Sequence, residues 1–194
     1  MLIQKSVKKY LKKLSSGAPT PGGGSASALA AALGTALILM VARIVRKKSP
    51  KKERVRLDRA IRSLNKVMRD AEQVVDLDVK VYRALIESYR AERSVKQSAL
   101  ARRRIETALN NSFRLQADLA MLVLLAKENM GVVHRAARGS IANDLVVARG
   151  FLDAAFRGAL ATAKINLAYM KSQKKEHFRS GLDQLEKRYY GIKT

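Results

Sequence analysis

Asp78 is the residue best placed to do chemistry. Apolar side chains recur at Leu57, Ile61, Leu64, Met68, Ala71 and Val75 and resume at Tyr82, Leu85 and Tyr89, in steps that alternate four and three. A helix needs that spacing to keep one face against its neighbours, and Asp78 is the one charged residue on the seam. A carboxylate there loses hydration, its pKa rises, and it becomes a proton donor or acceptor near neutrality. A buried polar residue that fixes helix register or pairs with an arginine would occupy the same position. Asp76, rotated by about 200° around the helix, points to the other face.

The second candidate is Pro21-Gly22-Gly23-Gly24-Ser25, directly before an apolar stretch. Glycines let backbone N–H groups approach a ligand, and a helix N-terminus adds free donors and a positive dipole end, which favours an anionic or carbonyl-bearing ligand. No Gly-Lys-Ser/Thr follows, so this is not a P-loop, and no strand precedes it, so it is not a dinucleotide fingerprint. The same glycines would also let two backbones cross closely, with Ser25 as N-cap. Asn143-Asp144 reads as a helix start, with a cap and a carboxylate on the positive end of the dipole. His134, beside Arg135, reads as a loop or helix-terminal residue, and the basic run from Arg46 to Arg62 as a solvated face.

The elements that position these residues are all predicted to be helical. Residues 2–14 place Ile3, Val7, Tyr10, Leu11 and Leu14 on one stripe, closed by Ser15-Ser16-Gly17. No residue from Gly17 to Ala42 is charged, and from Ser25 onward the run is small or apolar around its whole circumference. Its first half is mostly Ala and Ser, and small residues at Ala26, Ala30 and Gly34 allow close helix approach, so a buried core helix is the better reading than a membrane span or a signal peptide. Ser49-Pro50 reads as N-cap and first position of the long helix that carries Asp78. From Lys51 to Met130 there is neither Pro nor Gly. A further helix or pair is expected from about Ser94 to Met130, ending at Gly131. After a turn at Gly139-Ser140 a strict stripe runs through Leu145, Ala148, Leu152, Ala155, Ala159, Thr162, Asn166 and Tyr169, and a short basic helix from roughly Lys174 to Tyr190 ends the sequence. No internal repeat or linker divides the chain, so residues 1–194 are read as one domain.

Composition narrows the function. The 194 residues contain no Cys and two His, which removes thiolate chemistry, cysteine-ligated metals and a histidine-rich metal site. The net charge of +23 points to an anionic partner: nucleic acid, an acidic membrane or a small polyanion. With no Trp and 5% aromatic residues, a base-stacking platform is hard to build.

The segment from Ala18 to Ala36, Ala-Pro-Thr-Pro-Gly-Gly-Gly-Ser-Ala-Ser-Ala-Leu-Ala-Ala-Ala-Leu-Gly-Thr-Ala, resembles the signature of the formiminotetrahydrofolate cyclodeaminase and methenyltetrahydrofolate cyclohydrolase family. Val75-Asp-Leu-Asp-Val-Lys-Val-Tyr82 resembles that family's aspartate segment. Ile141-Ala-Asn-Asp-Leu-Val-Val-Ala148, with Phe156-Arg-Gly-Ala-Leu160 and Ile165-Asn-Leu167, resembles its Ser-Asp helix and closing Asn-Leu.

The resemblance implies an all-α fold, an up-and-down bundle of long helices around a buried Ala-rich helix, which dimerises and binds folate beside the glycine turn. It puts the catalytic aspartate on Asp78 and substrate contacts on Gly22, Gly23, Gly24, Ser25, Asn143 and Asp144. The implied chemistry is ring closure or opening at the one-carbon bridge of tetrahydrofolate, by a cytoplasmic enzyme with no metal or cofactor. In one direction N10 attacks the formimino carbon on N5 and ammonia leaves; in the other, water adds to the methenyl bridge to give 10-formyltetrahydrofolate. The positive charge would attract a folate or polyglutamylated folate. The alternative is a non-catalytic basic helical module that binds nucleic acid or another polyanion on the same scaffold, and a membrane-surface protein ranks behind both.

Overall fold

A computed structural model describes residues 1–94, 98–171 and 173–192. Six α-helices are present among them: α1 Val7–Leu14, α2 Gly23–Lys48, α3 Lys51–Ser94, α4 Ala99–Ala136, α5 Ala142–Tyr169 and α6 Lys175–Gly191, with a 3-10 turn at Gly139–Ile141. No strand occurs among the described residues. Helices α2 to α5 form an up-and-down bundle. Each packs on the next in sequence, α5 closes on α2, and α2 touches α4 across the diagonal. Helix α6 lies against α4 and α5.

The seams predicted from spacing form the core. Leu57, Leu64, Ala71 and Val75 on α3 are buried, as are Leu145, Ala148, Leu152, Ala155 and Ala159 on α5. Small residues set the approach of α2 to α5. A Cβ on Gly34 would meet the Ala148 carbonyl and the Leu152 side chain at 3.0 Å, and one on Gly158 would lie 2.1 Å from Ser27 Oγ. Of the small-residue row, only Gly34 is buried; Ala26 and Ala30 are half-buried. Helix α2 is long and apolar enough to cross a membrane by length and composition, and over half of its apolar stretch is buried inside the bundle. Its outer face, with Leu33, Met40 and Ile44, is open.

Several boundaries differ from the sequence reading. Helix α1 starts at Val7 with Ser6 as N-cap, leaving Leu2 and Ile3 in an N-terminal arm that turns where Lys5 N–H donates to the Leu2 carbonyl, and Val7 and Leu11 are exposed. Ser25 is not an N-cap: Gly22 holds that position, which makes Ser25 the third residue of α2. Ser49 ends α2, its hydroxyl donating to the Val45 carbonyl, while the Pro50 carbonyl accepts from Arg54 N–H to start α3. Helix α4 is a single helix capped by Ser98 that passes through Gly131; a helical glycine costs about 1 kcal/mol, less than burial of Met130 and Val133 on either side returns. The expected start near Ser94 borders 95–97, which lie outside the described residues. Asn143 does not cap α5. The 3-10 turn feeds straight into the helix with Ile141 as N-cap, so Asn143 becomes an exposed second residue.

Beyond Asp78 the α3 seam is covered less evenly: Tyr82 is exposed, while Leu85 is buried and Tyr89 packs against the core.

Candidate active site

Three helices meet at the N-terminus of α2. The Ser25 N–H donates to Asp78 Oδ2 at 2.9 Å, and Gln116 Nε2 of α4 donates to Asp78 Oδ1 at 2.7 Å. Asp78 therefore caps the start of α2 from a neighbouring helix, supplying the acceptor that the Gly22 cap lacks. Ser25 is fully buried; its hydroxyl donates to the Val75 carbonyl at 2.8 Å, and the Tyr10 hydroxyl, 3.1 Å away, donates to it in turn. Helix α1 is tied to the site through Tyr10. Asp76 points away, as its rotation requires, and accepts from the Leu2 and Ile3 backbone N–H groups.

Asp78 is half-buried, and burial pushes its carboxyl above the usual carboxylate range, against the pull of the Ser25 and Gln116 hydrogen bonds. Gln116 is 1% exposed, and its Oε1 is buried without a hydrogen-bond partner. Rotation of the amide would let Oε1 accept a hydrogen bond from the protonated Asp78 carboxyl, so one side chain matches both charge states of the acid. Replacing Gln116 with Leu removes a bond that favours the ionised form. The expected result for Gln116→Leu is an acid limb of the rate profile moved to higher pH, with the plateau lowered less than the limb is shifted; a kcat/KM profile from pH 5 to 9 checks it.

The glycines are not equivalent. A Cβ on Gly24 would fall 2.1 Å from Asp78 Oδ1 and 2.3 Å from Gln116 Nε2, whereas one on Gly23 would meet nothing within 4 Å. Gly24 makes room for the carboxylate, and Gly23 faces open space.

A cavity of about 670 Å³ lies past the start of α2, where α3, α4 and α5 run on without it. Its wall includes Tyr82, Tyr89 and Arg90 of α3, Leu109 of α4, and Asn166 and Tyr169 of α5. Tyr82 stands one turn beyond Asp78 on the same face. Three tyrosines suit a flat aromatic ring, and Arg90 and Asn166 offer donors to carbonyl or anionic groups on it. Among the described residues no three His, Asp or Glu side chains converge as metal ligands would.

Asp78 and Gly22–Ser25 are thus brought together, but Asn143 and Asp144 are not. Gly158 of α5 faces Ser27, so Asp144 lies about 20 Å away along the helix, at the other end of the bundle. Gln116 and Tyr10 complete the site. Nothing in the sequence pattern marked Gln116; Tyr10 was legible only as an apolar-stripe residue.

Residues 6–184 match the family model described as formiminotransferase-cyclodeaminase. A methenyltetrahydrofolate cyclohydrolase from Methylorubrum extorquens is 28% identical over 178 residues, which cover 80% of this chain and 85% of that one. The crystal structure of formiminotetrahydrofolate cyclodeaminase from Thermotoga maritima shares the fold, with a TM-score of 0.88 at 19% identity over 98% of this chain and 93% of that one.

Proposed function

The chain belongs to the formiminotransferase-cyclodeaminase family, and from that premise we propose that it acts on the one-carbon bridge of tetrahydrofolate, with Asp78 as the group that moves protons. The observation that carries this reading is the Asp78 carboxylate itself: raised in pKa by burial, held through both oxygens at the start of α2, and one helical turn from Tyr82 in the wall of the tyrosine-lined cavity. The pterin and benzoyl rings of folate have the shape that cavity suits. Cyclohydrolase is the first reading, because the cyclohydrolase relative is the more similar in sequence. Asp78 takes a proton from water as its oxygen bonds to the bridge carbon. It returns one to N5 as the carbon–N5 bond breaks, and the hydroxyl proton of the adduct leaves to solvent. Nothing is oxidised or reduced, so the step asks for no redox cofactor. Cyclodeaminase is the second reading and uses the same group: Asp78 takes the proton from N10 as it bonds to the formimino carbon and passes it to the nitrogen that departs as ammonia when its bond to that carbon breaks. Absorbance of the methenyl chromophore tests both. Faster loss from 5,10-methenyltetrahydrofolate means cyclohydrolase, formation from 5-formiminotetrahydrofolate means cyclodeaminase, and silence in both overturns the proposal.

The proposal extends to a homodimer. Leu33, Leu37, Met40 and Ile44 follow one another at four, three and four residues along the outer face of α2, a self-complementary stripe. The start of α2 and the start of α5 lie at opposite ends of the bundle, so a second copy seated antiparallel on this stripe brings its Asn143 and Asp144 toward the first copy's glycine turn. The two halves of the site implied by the family resemblance then meet between chains. Mixing and reassembling inactive Asp78→Asn with inactive Asp144→Asn should restore about a quarter of wild-type turnover, since half of the dimers are mixed and each carries one intact site. No recovery, with mixed dimers shown by light scattering and mass spectrometry, places both residues in one chain's site or Asp144 outside it.

A further inference from the structure

Part of the positive charge lines a continuous track away from the folate cavity. A groove of about 610 Å³ runs along the outer side of the α3–α4 pair, with Lys80, Arg103 and Arg104 over a floor that includes Val81, Ala84 and Ala108. A second groove, of about 300 Å³, lies between the N-terminal arm and α3 and carries Lys5, Lys13, Lys80 and Arg83. Lys80 lines both, so the two form one track with six cations. The single carboxylate in it, Asp76, already accepts from the Leu2 and Ile3 N–H groups. None of the six cations forms an ion pair among the described residues.

These cations repel one another. Lys80 and Arg83 are like charges three residues apart on α3, and Arg103 and Arg104 stand side by side on α4, whose first turn carries no acid. An anion laid along the track relieves that repulsion.

We propose that this track binds the sugar–phosphate backbone of double-helical nucleic acid, a second function independent of the folate reading. A double helix fits better than a single strand because no aromatic side chain lines either groove, so bases have nothing to stack on. A folate's own γ-glutamyl tail fits less well. The α3 residues of the track and those of the tyrosine cavity, Lys80 and Ala84 against Tyr82 and Tyr89, point to different sides of the helix, and a tail leaving the cavity would have to turn around α3 to arrive. Binding through phosphates reads shape and charge, so it carries little sequence preference.

The test is fluorescence anisotropy with a labelled 20-base-pair DNA duplex of mixed sequence, from 50 to 300 mM salt. If all six cations engage phosphates, log K falls with log salt with a slope of about −5. The triple change Lys80→Gln, Arg103→Gln, Arg104→Gln should weaken binding at 100 mM salt by about 10²-fold and flatten the slope by roughly 3. A control triple, Arg59→Gln, Arg62→Gln, Arg69→Gln, removes the same charge from the first half of α3 and should cost less than about a tenth of that effect. All six are surface side chains, and thermal unfolding of each triple confirms that the fold is kept. Equal losses in the two triples, binding that ignores salt, or preference for hexa-γ-glutamate over the duplex at matched charge each overturns the proposal.

Discussion

Asp78→Asn is expected to lower turnover by about 10² to 10⁴, the usual worth of a general acid–base group, while leaving the bundle folded. The substitution keeps the shape of the side chain and an oxygen that can accept from the Ser25 N–H. Its new amide N–H₂ faces Gln116, whose unpartnered Oε1 can rotate to accept from it. Stability should then respond to pH with a definite sign. Burial holds the Asp78 carboxyl above its ordinary value, so the folded state binds this proton more tightly than the unfolded chain does. The wild type consequently loses stability as pH rises through the unfolded pKa, and the loss levels off once pH passes the raised folded value. Asparagine carries no such penalty. The variant should therefore melt at or above the wild-type temperature at pH 7 to 8, with the advantage vanishing as pH falls below the usual carboxylate range. A dead and slightly stabilised protein is the signature of an acid retained for chemistry. A variant that is destabilised at pH 8 while it keeps most of its turnover would instead make Asp78 a helix cap and nothing more. The wild-type rate supplies the companion measurement. Where the ionised form removes a proton from water, kcat/KM rises with pH up to a plateau, and the bend lies above the usual carboxylate range.

The sequence made Asp78 legible for a physical reason: an alternation of four and three leaves no freedom, and a charge that interrupts nothing in the rhythm must sit on the buried face. Asp76 was separable from it by rotation alone, and the backbone N–H groups it holds confirm the opposite face. Gln116 was not legible. It lies 38 residues from Asp78, in a long stretch without Pro or Gly, and an uncharged polar residue on a helix has no spacing signature. Its role appears only when α4 is laid against α3. Gly131 and Asn143 misled for a related reason. Local signals for ending and starting helices are worth about 1 kcal/mol each, and packing of Met130, Val133 and Leu145 in the bundle outweighs them. The cavity follows from a length mismatch. Helix α2 is shorter than α3 and α4, and a pattern that marks faces says little about which neighbour stops first.

The glycine turn gives the sharpest contrast, because three residues that look alike in the sequence carry different burdens. Alanine at position 24 has no room. Its Cβ would stand 2.1 Å from Asp78 Oδ1, 2.3 Å from Gln116 Nε2 and 2.7 Å from Asp78 Cγ. Neither neighbour yields easily, since the carboxylate is bonded to the Ser25 N–H and Gln116 is buried in the bundle. Gly24→Ala is expected to cost roughly 1–3 kcal/mol of stability, as overpacking does, and to reduce turnover by about as much as loss of Asp78 itself, because the acid is displaced from α2. Alanine at position 23 meets nothing, and the backbone there is ordinary helix, so folding should be unaffected or improved by about 0.5–1 kcal/mol as the unfolded chain loses freedom. That open space is where a pterin or benzoyl carbonyl would approach the α2 N–H groups. A methyl group on that surface should raise KM at least about tenfold while kcat changes little, the mark of lost binding shared by ground and transition states. Urea unfolding and steady-state kinetics on the two variants separate these outcomes. Gly23→Ala with unaltered KM would mean that nothing binds against the turn, and its glycines would then serve only to admit the Asp78 carboxylate.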